Sequence, residues 1–344
     1  MAPGAILLAG ALWGSMGIFV RRYDACGLNS LQIVGIRAVG TALLLFLYLL
    51  WQDRDKLKIK RKDLWCFLGT GLCSIVFFNY CYFKTIVLTD LSVAAVLLYT
   101  APSMVMVMSA FLFGEKFHWR KGLALLLAFI GCVFVTGIIG SRVHLSAAGI
   151  LTGLGSGFGY ALYSIFSRYA LERGYHSLTI SFYTFLLAAV GVLPFADLTE
   201  VGAVVFAQPG NVVFTLLFAL VSTVIPYFVY TWGLQYVENG EASILASVEP
   251  VVAAVLGVVI FKEKLTIMEF FGVIFVLLSI AISQKGEKKQ QIEEKKTLEE
   301  KKTSKGKHIK GEAVVPGENS RVRQLLVIFQ QKEYKLITLI WFFH

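Results

Sequence analysis

Apolar stretches of about twenty residues recur down the chain, separated by short segments that carry most of the charge. A helix needs about 20 mainly apolar residues to cross a hydrocarbon core roughly 30 Å thick. Stretches of that size lie at 4–21, 30–51, 64–84, 91–113, 119–139, 146–167, 177–196, 212–236, 241–261 and 267–284, which predicts ten transmembrane helices. Residues 201–237 carry no charge, but Gln208, Pro209, Gly210 and Asn211 form a turn signal. That signal predicts a short loop before the eighth span. The first stretch is not expected to be a signal peptide, because no basic residue precedes it and Arg21 and Arg22 follow it. The pattern predicts an all-α integral membrane protein.

The pattern changes at Gln284. Residues 1–284 hold 18 Lys and Arg with 14 Asp and Glu, whereas 285–344 hold 14 and 8 in a far shorter length. The whole chain of 344 residues is 57% hydrophobic and 16% charged. Soluble domains carry about 25% charged residues, so the first segment is too apolar for an ordinary soluble enzyme. The second segment is too polar to cross lipid. Its Lys-Lys and Glu-Glu pairs predict a solvated, disordered tail, with contact to an anionic leaflet as the functional alternative. Leu325–Phe343 is apolar at its ends, but Gln330, Gln331, Lys332, Glu333 and Lys335 at its centre point to an interfacial or unstructured end rather than an eleventh span.

Loop charge then sets the orientation. With the N-terminus inside, the inner loops collect eleven Lys and Arg and the outer loops six. The positive-inside rule therefore places both termini in the cytoplasm of a multi-pass protein of the cytoplasmic membrane. The net charge of +10 belongs to loops and tail. It points to lipid headgroups rather than nucleic acid, since no aromatic residues are interleaved with the tail lysines.

A fixed offset relates the two halves. Displacement by 148 residues carries Pro102 onto Pro250, Glu115 and Lys116 onto Glu263 and Lys264, and Tyr82 onto Tyr230. Displacement by 147 carries Ile18, Phe19 and Arg21 onto Ile165, Phe166 and Arg168. Each half has five predicted spans, and five is odd, so the second half starts on the opposite face. The expected organisation is two inverted five-helix repeats, 1–140 and 141–284, followed by a Lys/Glu-rich tail, 285–344. Many secondary transporters are built this way, with the substrate site near the midplane between repeats.

Several of these residues resemble the EamA-type carriers of the drug/metabolite transporter superfamily. The marks are Trp13-Gly14-Ser15, Arg37, Pro102 ahead of Gly114-Glu115-Lys116, and Glu249-Pro250 ahead of Lys262-Glu263-Lys264. The resemblance covers about residues 4–284. It implies a paired five-helix repeat, a central cavity, and export or uptake of small metabolites.

The residues that could do such work are few. Glu249 lies roughly 12 Å into its span at 1.5 Å per residue, where a carboxylate could bind a substrate amine or take up a coupling proton. The competing role is a structural glutamate beside a helix break. Arg37 could snorkel outward in a structural role, or face the cavity and hold a carboxylate. Lys84, near a span end, could snorkel or meet a substrate carboxylate. Pro102 and Pro250 remove backbone donors and could kink or hinge their helices. Trp13, Asn79, Tyr80, Tyr82, Tyr99, Tyr160, Tyr163, Tyr227, Tyr230 and Trp232 lie away from the obvious span ends and would suit an amphipathic organic solute. Packing between helices is the competing role for each. Gly149, Gly153 and Gly157 have the four-residue spacing of a close helix contact, not of a nucleotide loop.

No catalytic constellation, metal-ligand spacing or nucleotide-binding motif emerges, and no cofactor is expected. The five cysteines form no CxxC pair and are read as small apolar residues. The sequence predicts a secondary carrier of small metabolites, amino acids or their relatives among the candidates, driven by a solute or proton gradient; a homodimer is compatible with it. The alternative is a membrane sensor or scaffold whose basic tail recruits partners.

Overall fold

The computed structural model describes residues 1–139 and 146–284. The tail 285–344, including its expected disorder and its interfacial end, lies outside the described residues. Among those residues every regular element is helical. Eight helices are long and apolar enough to cross a membrane. They are α1 (Ala2–Ala25), α2 (Ser30–Gln52), α3 (Arg61–Leu88) and α4 (Leu91–Phe113), then α7 (Ser177–Phe195), α8 (Pro209–Gly233), α9 (Asn239–Phe261) and α10 (Ile267–Gln284). Between α4 and α7 lie α5 (Trp119–Val135) and α6 (Ala147–Glu172). Each of the ten apolar stretches anticipated above falls on one of these helices.

Local chemistry fixes where several of them start. Asn29 and Gln32 form a reciprocal capping box at α2, with bonds of 3.0 and 2.7 Å. Ser146 Oγ accepts from the Gly149 N–H at the start of α6, and His176 Nδ1 accepts from the Leu178 N–H at the start of α7. The expected short loop before the eighth span is present at 206–208, and α8 begins three residues ahead of the expected start at 212. Gln208 is an N-cap and Pro209 the first helical residue of α8, a position where proline lacks only an N–H that has no helical partner. A short helix, Leu198–Val205, precedes it.

Five helices are broken or distorted; α1 breaks at Ser15, and the irregularities of the other four recur in pairs. α4 consists of Leu91–Leu98 and Ala101–Phe113, and α9 of Asn239–Ala246 and Glu249–Phe261. Every one of these bounds is displaced by 148 residues. Pro102 and Pro250 are each the second residue of the second piece, where the missing N–H costs nothing. Both helices end in a left-handed residue, Gly114 with φ 68° and Lys262 with φ 58°. α3 and α8 contain π-helical stretches, Gly69–Val76 and Leu220–Val224, that lead into Phe77–Leu88 and Ile225–Gly233.

Small residues let the helices approach. A methyl group on Gly149, Gly153 or Gly157 would overlap Thr89, Leu97 or Thr100, so α6 lies directly on α4 and the end of α3. Gly10 and Gly14, four residues apart on α1, meet the break of α9 in the same way. Hydroxyl pairs join other helices: Thr70 with Thr184 at 2.6 Å and Thr85 with Thr152 at 2.9 Å. Large apolar side chains face outward instead, among them Leu43, Phe111, Val259 and Phe270. In water such a surface would aggregate; around apolar helices of this length it is the surface of a multi-pass membrane protein.

Candidate functional site

At the centre of the bundle, α1, α3, α6 and α8 enclose a cleft lined by Trp13, Ser74, Ile75, Phe78, Tyr160, Tyr163, Ser164, Tyr227 and Tyr230. Five of these aromatic residues were anticipated from sequence: Trp13, Tyr160, Tyr163, Tyr227 and Tyr230. Their rings interlock. Trp13 meets Tyr227 at 5.1 Å and Tyr230 at 5.3 Å between centroids, and Tyr163 stands edge-on to Tyr227 at 4.9 Å. Such contacts add about 0.5–1.5 kcal/mol each beyond burial and hold the lining rigid. Two hydroxyls are spent on neighbours. Tyr163 is bonded to Thr231 at 2.7 Å, and Tyr230 to Ser164 at 2.8 Å.

Two buried polar groups of the lining have no partner among the described residues: the Trp13 Nε1–H and the Ser74 hydroxyl. A buried donor without a partner costs about 1–3 kcal/mol, so the wall carries unused hydrogen-bonding capacity. The free space, about 10 Å³ for the centre of a water-sized sphere, holds about a single water. The cleft is therefore narrow in this conformation.

Glu249 opens the second piece of α9, next to the cleft. Its charge reaches Tyr160 of the lining and two more of the anticipated residues, Tyr82 and Tyr99. Arg37 corrects an expectation. It is 4% exposed and does not snorkel. Its Nη1 touches Met16 Sδ at 3.1 Å, and its Nε has no partner. Arg37 lies within electrostatic reach of Tyr227 and Glu249, without forming an ion pair among the described residues. A buried cation so poorly bonded is expensive as a purely structural element.

The remaining anticipated residues are not brought to the cleft wall. Asn79 is buried, but its Nδ2 donates to the Ile75 carbonyl of its own helix at 2.7 Å. Tyr80 is 59% exposed, and Lys84 is exposed as well. Trp232 packs on Tyr236 at 5.1 Å. Ser74, Ile75, Phe78 and Ser164 escaped the sequence analysis. A signal did exist, since Ser74, Phe78 and Tyr82 follow each other at four-residue intervals and Phe78 meets Tyr82 at 5.9 Å. The π-helical stretch ending at Val76 shifts that face and hides it from simple periodicity.

The chain is a multi-pass helical bundle with a narrow aromatic cleft, and its relatives are membrane transporters. Residues 2–137 and 147–284 match the EamA-like transporter family, and the chain belongs to that family. It is 28% identical over 284 residues to an uncharacterized transporter of Archaeoglobus fulgidus, covering 81% of this chain and 94% of that one. The uncharacterized transporter YxxF of Bacillus subtilis is 23% identical, with 81% and 88% covered. The uncharacterized inner membrane transporter YicL of Salmonella typhimurium is 21% identical, with 80% and 93% covered. A crystal structure at 16% identity superposes with a TM-score of 0.69 over 82% of this chain and 96% of its own, which speaks for the fold.

Proposed function

We propose that the protein is a secondary active transporter that moves a small organic metabolite across the cytoplasmic membrane by alternating access. Ten helices, α1 to α10, cross the membrane as two inverted five-helix repeats, 1–140 and 141–284, with both termini in the cytoplasm. Helix breaks that recur at a 148-residue offset support the repeat, as does the family match falling in two blocks.

The observation that carries the function is the cleft itself. Its wall comes from both halves, Trp13, Ser74, Ile75 and Phe78 from one and Tyr160, Tyr163, Ser164, Tyr227 and Tyr230 from the other. A solute held there would be released to either side as the halves rock. The aromatic rings would take an apolar portion of the solute, and the unpartnered Trp13 and Ser74 donors would meet an acceptor on it. Arg37 and Glu249 supply opposite charges near that point, which suits a zwitterion such as an amino acid. Glu249 is also the group placed to carry a coupling proton. Pro102 and Pro250 mark the joints about which the pieces of α4 and α9 turn.

The test is counterflow in vesicles reconstituted with the purified chain, using solutes first ranked by thermal stabilisation. Saturable exchange of at least one solute is expected. A panel of amino acids, amines, sugars and organic acids that neither stabilises nor exchanges would overturn the proposal.

A further inference from the structure

Glu115 lies just past α4, beyond the left-handed Gly114. Its carboxylate reaches across to α9 and accepts from the N–H groups of Asn239 and Gly240 at 2.8 and 3.1 Å. These are the first two residues of α9, whose first-turn donors have no partner within the helix. A carboxylate there also complements the positive end of the helix dipole. Beside it Lys121 pairs with Glu238, the N-cap residue of α9. Gly240 lies on Met106 of α4, and Asn239 and Glu241 are buried. This end of the bundle is sealed by one repeat docking on the other.

The same parts exist at the opposite end. A displacement of 148 carries Glu115 onto Glu263, Gly114 onto Lys262, and Leu91 and Ser92 onto Asn239 and Gly240. It also pairs the N-cap residues Asp90 and Glu238, both acidic. Yet Glu263 is not docked on α4. It pairs with Arg21 at 2.7 Å, and both side chains are about half exposed, 49% and 54%. Arg21 in turn lies 4.2 Å over the Phe261 ring. Among the described residues no side chain caps the start of α4, and Leu91 is 62% exposed.

We propose that Glu115 and Glu263 are alternating latches. Each seals one end of the transporter by capping the broken helix of the other repeat, and only one is engaged at a time. In the present conformation Glu115 holds Asn239 and Gly240. In the opposite-facing one Glu263 leaves Arg21 and takes the N–H groups of Leu91 and Ser92, while Glu115 lets go. Because the two latches form the same kind of bond at equivalent helix starts, their exchange leaves the two conformations near each other in free energy, as a carrier requires. This mechanism rests on the transporter proposal above, but its test needs no solute.

Thiol-labelling rates are compared in a background with the five native cysteines replaced, using Met106→Cys at the sealed end and Leu91→Cys at the other. Glu115→Gln should speed labelling of Met106→Cys and slow that of Leu91→Cys, each by several fold. Adding Glu263→Gln should abolish the slowing at Leu91→Cys. Rates unchanged by Glu115→Gln in a folded protein overturn the latch. Should Glu115→Gln not fold, amide hydrogen exchange on the unaltered chain decides: Asn239 and Gly240 should be protected and Leu91 and Ser92 fast, and equal protection overturns it. Solute counterflow that persists with unmoved labelling removes the latch alone. Labelling that shifts as expected with no solute ever exchanged removes the transport proposal instead.

Discussion

Gly14 of α1 sits against the backbone carbonyl of Glu249, so closely that a methyl group on Gly14 would overlap that oxygen and the Val252 side chain. Glu249 thus starts its helical piece where another helix presses on its backbone. The approach of α9 to α1 at Glu249 depends on a glycine of α1.

Gly14→Ala should therefore force α1 away from α9. Overpacking of a close contact costs about 1–3 kcal/mol. A lowered thermal midpoint in detergent is expected, together with weakened solute binding. An unchanged midpoint would mean that the contact is looser than the geometry states.

Arg37→Met should leave the midpoint unchanged or raise it, because among the described residues Arg37 bonds to Met16 Sδ while its Nε has no partner. Removing a buried, poorly compensated charge relieves desolvation. Solute affinity should fall about tenfold or more, the worth of a charge-assisted hydrogen bond of about 1.5–3 kcal/mol. A steep loss of stability with transport intact in the folded fraction would make Arg37 a structural residue.

Trp13→Phe and Ser74→Ala each remove one unpartnered donor from the cleft wall. Neither leaves a new buried polar group behind, so Ser74→Ala should keep its stability, while Trp13→Phe also shrinks a packed ring and should lower the midpoint modestly. Each should raise the half-saturating solute concentration several fold, as expected for one hydrogen bond of about 1 kcal/mol. Equal affinities in chain and variants would show that water, not solute, satisfies these donors.

Glu249→Gln keeps shape and hydrogen-bonding length but cannot release a proton. Flux that varies with pH in the parent should become flat across the same range, with the protein still folded. Full pH-dependent flux in this variant would take proton coupling away from this position.

Glu115 lies outside the spans, and burial pushes its carboxyl above the ordinary value of 4.5, partly offset by the Gly240 and Asn239 N–H groups. Glu238 raises it further and Lys121 lowers it, while Tyr230 also lies within electrostatic reach. A folded value above the unfolded one means that the sealed state binds the proton more tightly. Its contribution is complete below the ordinary glutamate value and is lost as pH rises through the raised value. Relative to Glu115→Gln, the parent should gain thermal stability as pH falls from 7 toward 5. Parallel melting curves across that range would contradict the assignment.

Much of the frame was legible beforehand, for identifiable reasons. Apolar length is a local property, so the stretches at 30–51 and 91–113 end within a residue of α2 and α4. The matched placement of Pro102 and Pro250 was legible because each lies at the start of a helical piece, where proline is favoured. The spacing of Gly149, Gly153 and Gly157 correctly announced a close helix contact. The loop before α8 is present at 206–208, but the helix starts three residues ahead of the expected 212, because a turn-forming sequence and a proline-started helix share the same residues.

The site was legible only by residue type. Trp13, Tyr160, Tyr163, Tyr227 and Tyr230 converge on one cleft, whereas Tyr80 and Lys84 face away. Nothing local separates Tyr80 from Tyr82; a single step round a helix does. Ser74 was passed over because a serine in an apolar run is ordinary, and only its missing partner inside the cleft makes it notable.

The sequence by itself determined the apolar helices, their short loops, the offset between the halves and the family, since each depends on composition and order along the chain. Tertiary structure alone decided which side chains share the cleft, that Arg37 is buried rather than snorkelling, and that Glu115 is docked while Glu263 is not. Those outcomes depend on the facing of helices whose phase is shifted by π-helical stretches and breaks, and on glycine contacts closer than a methyl group allows.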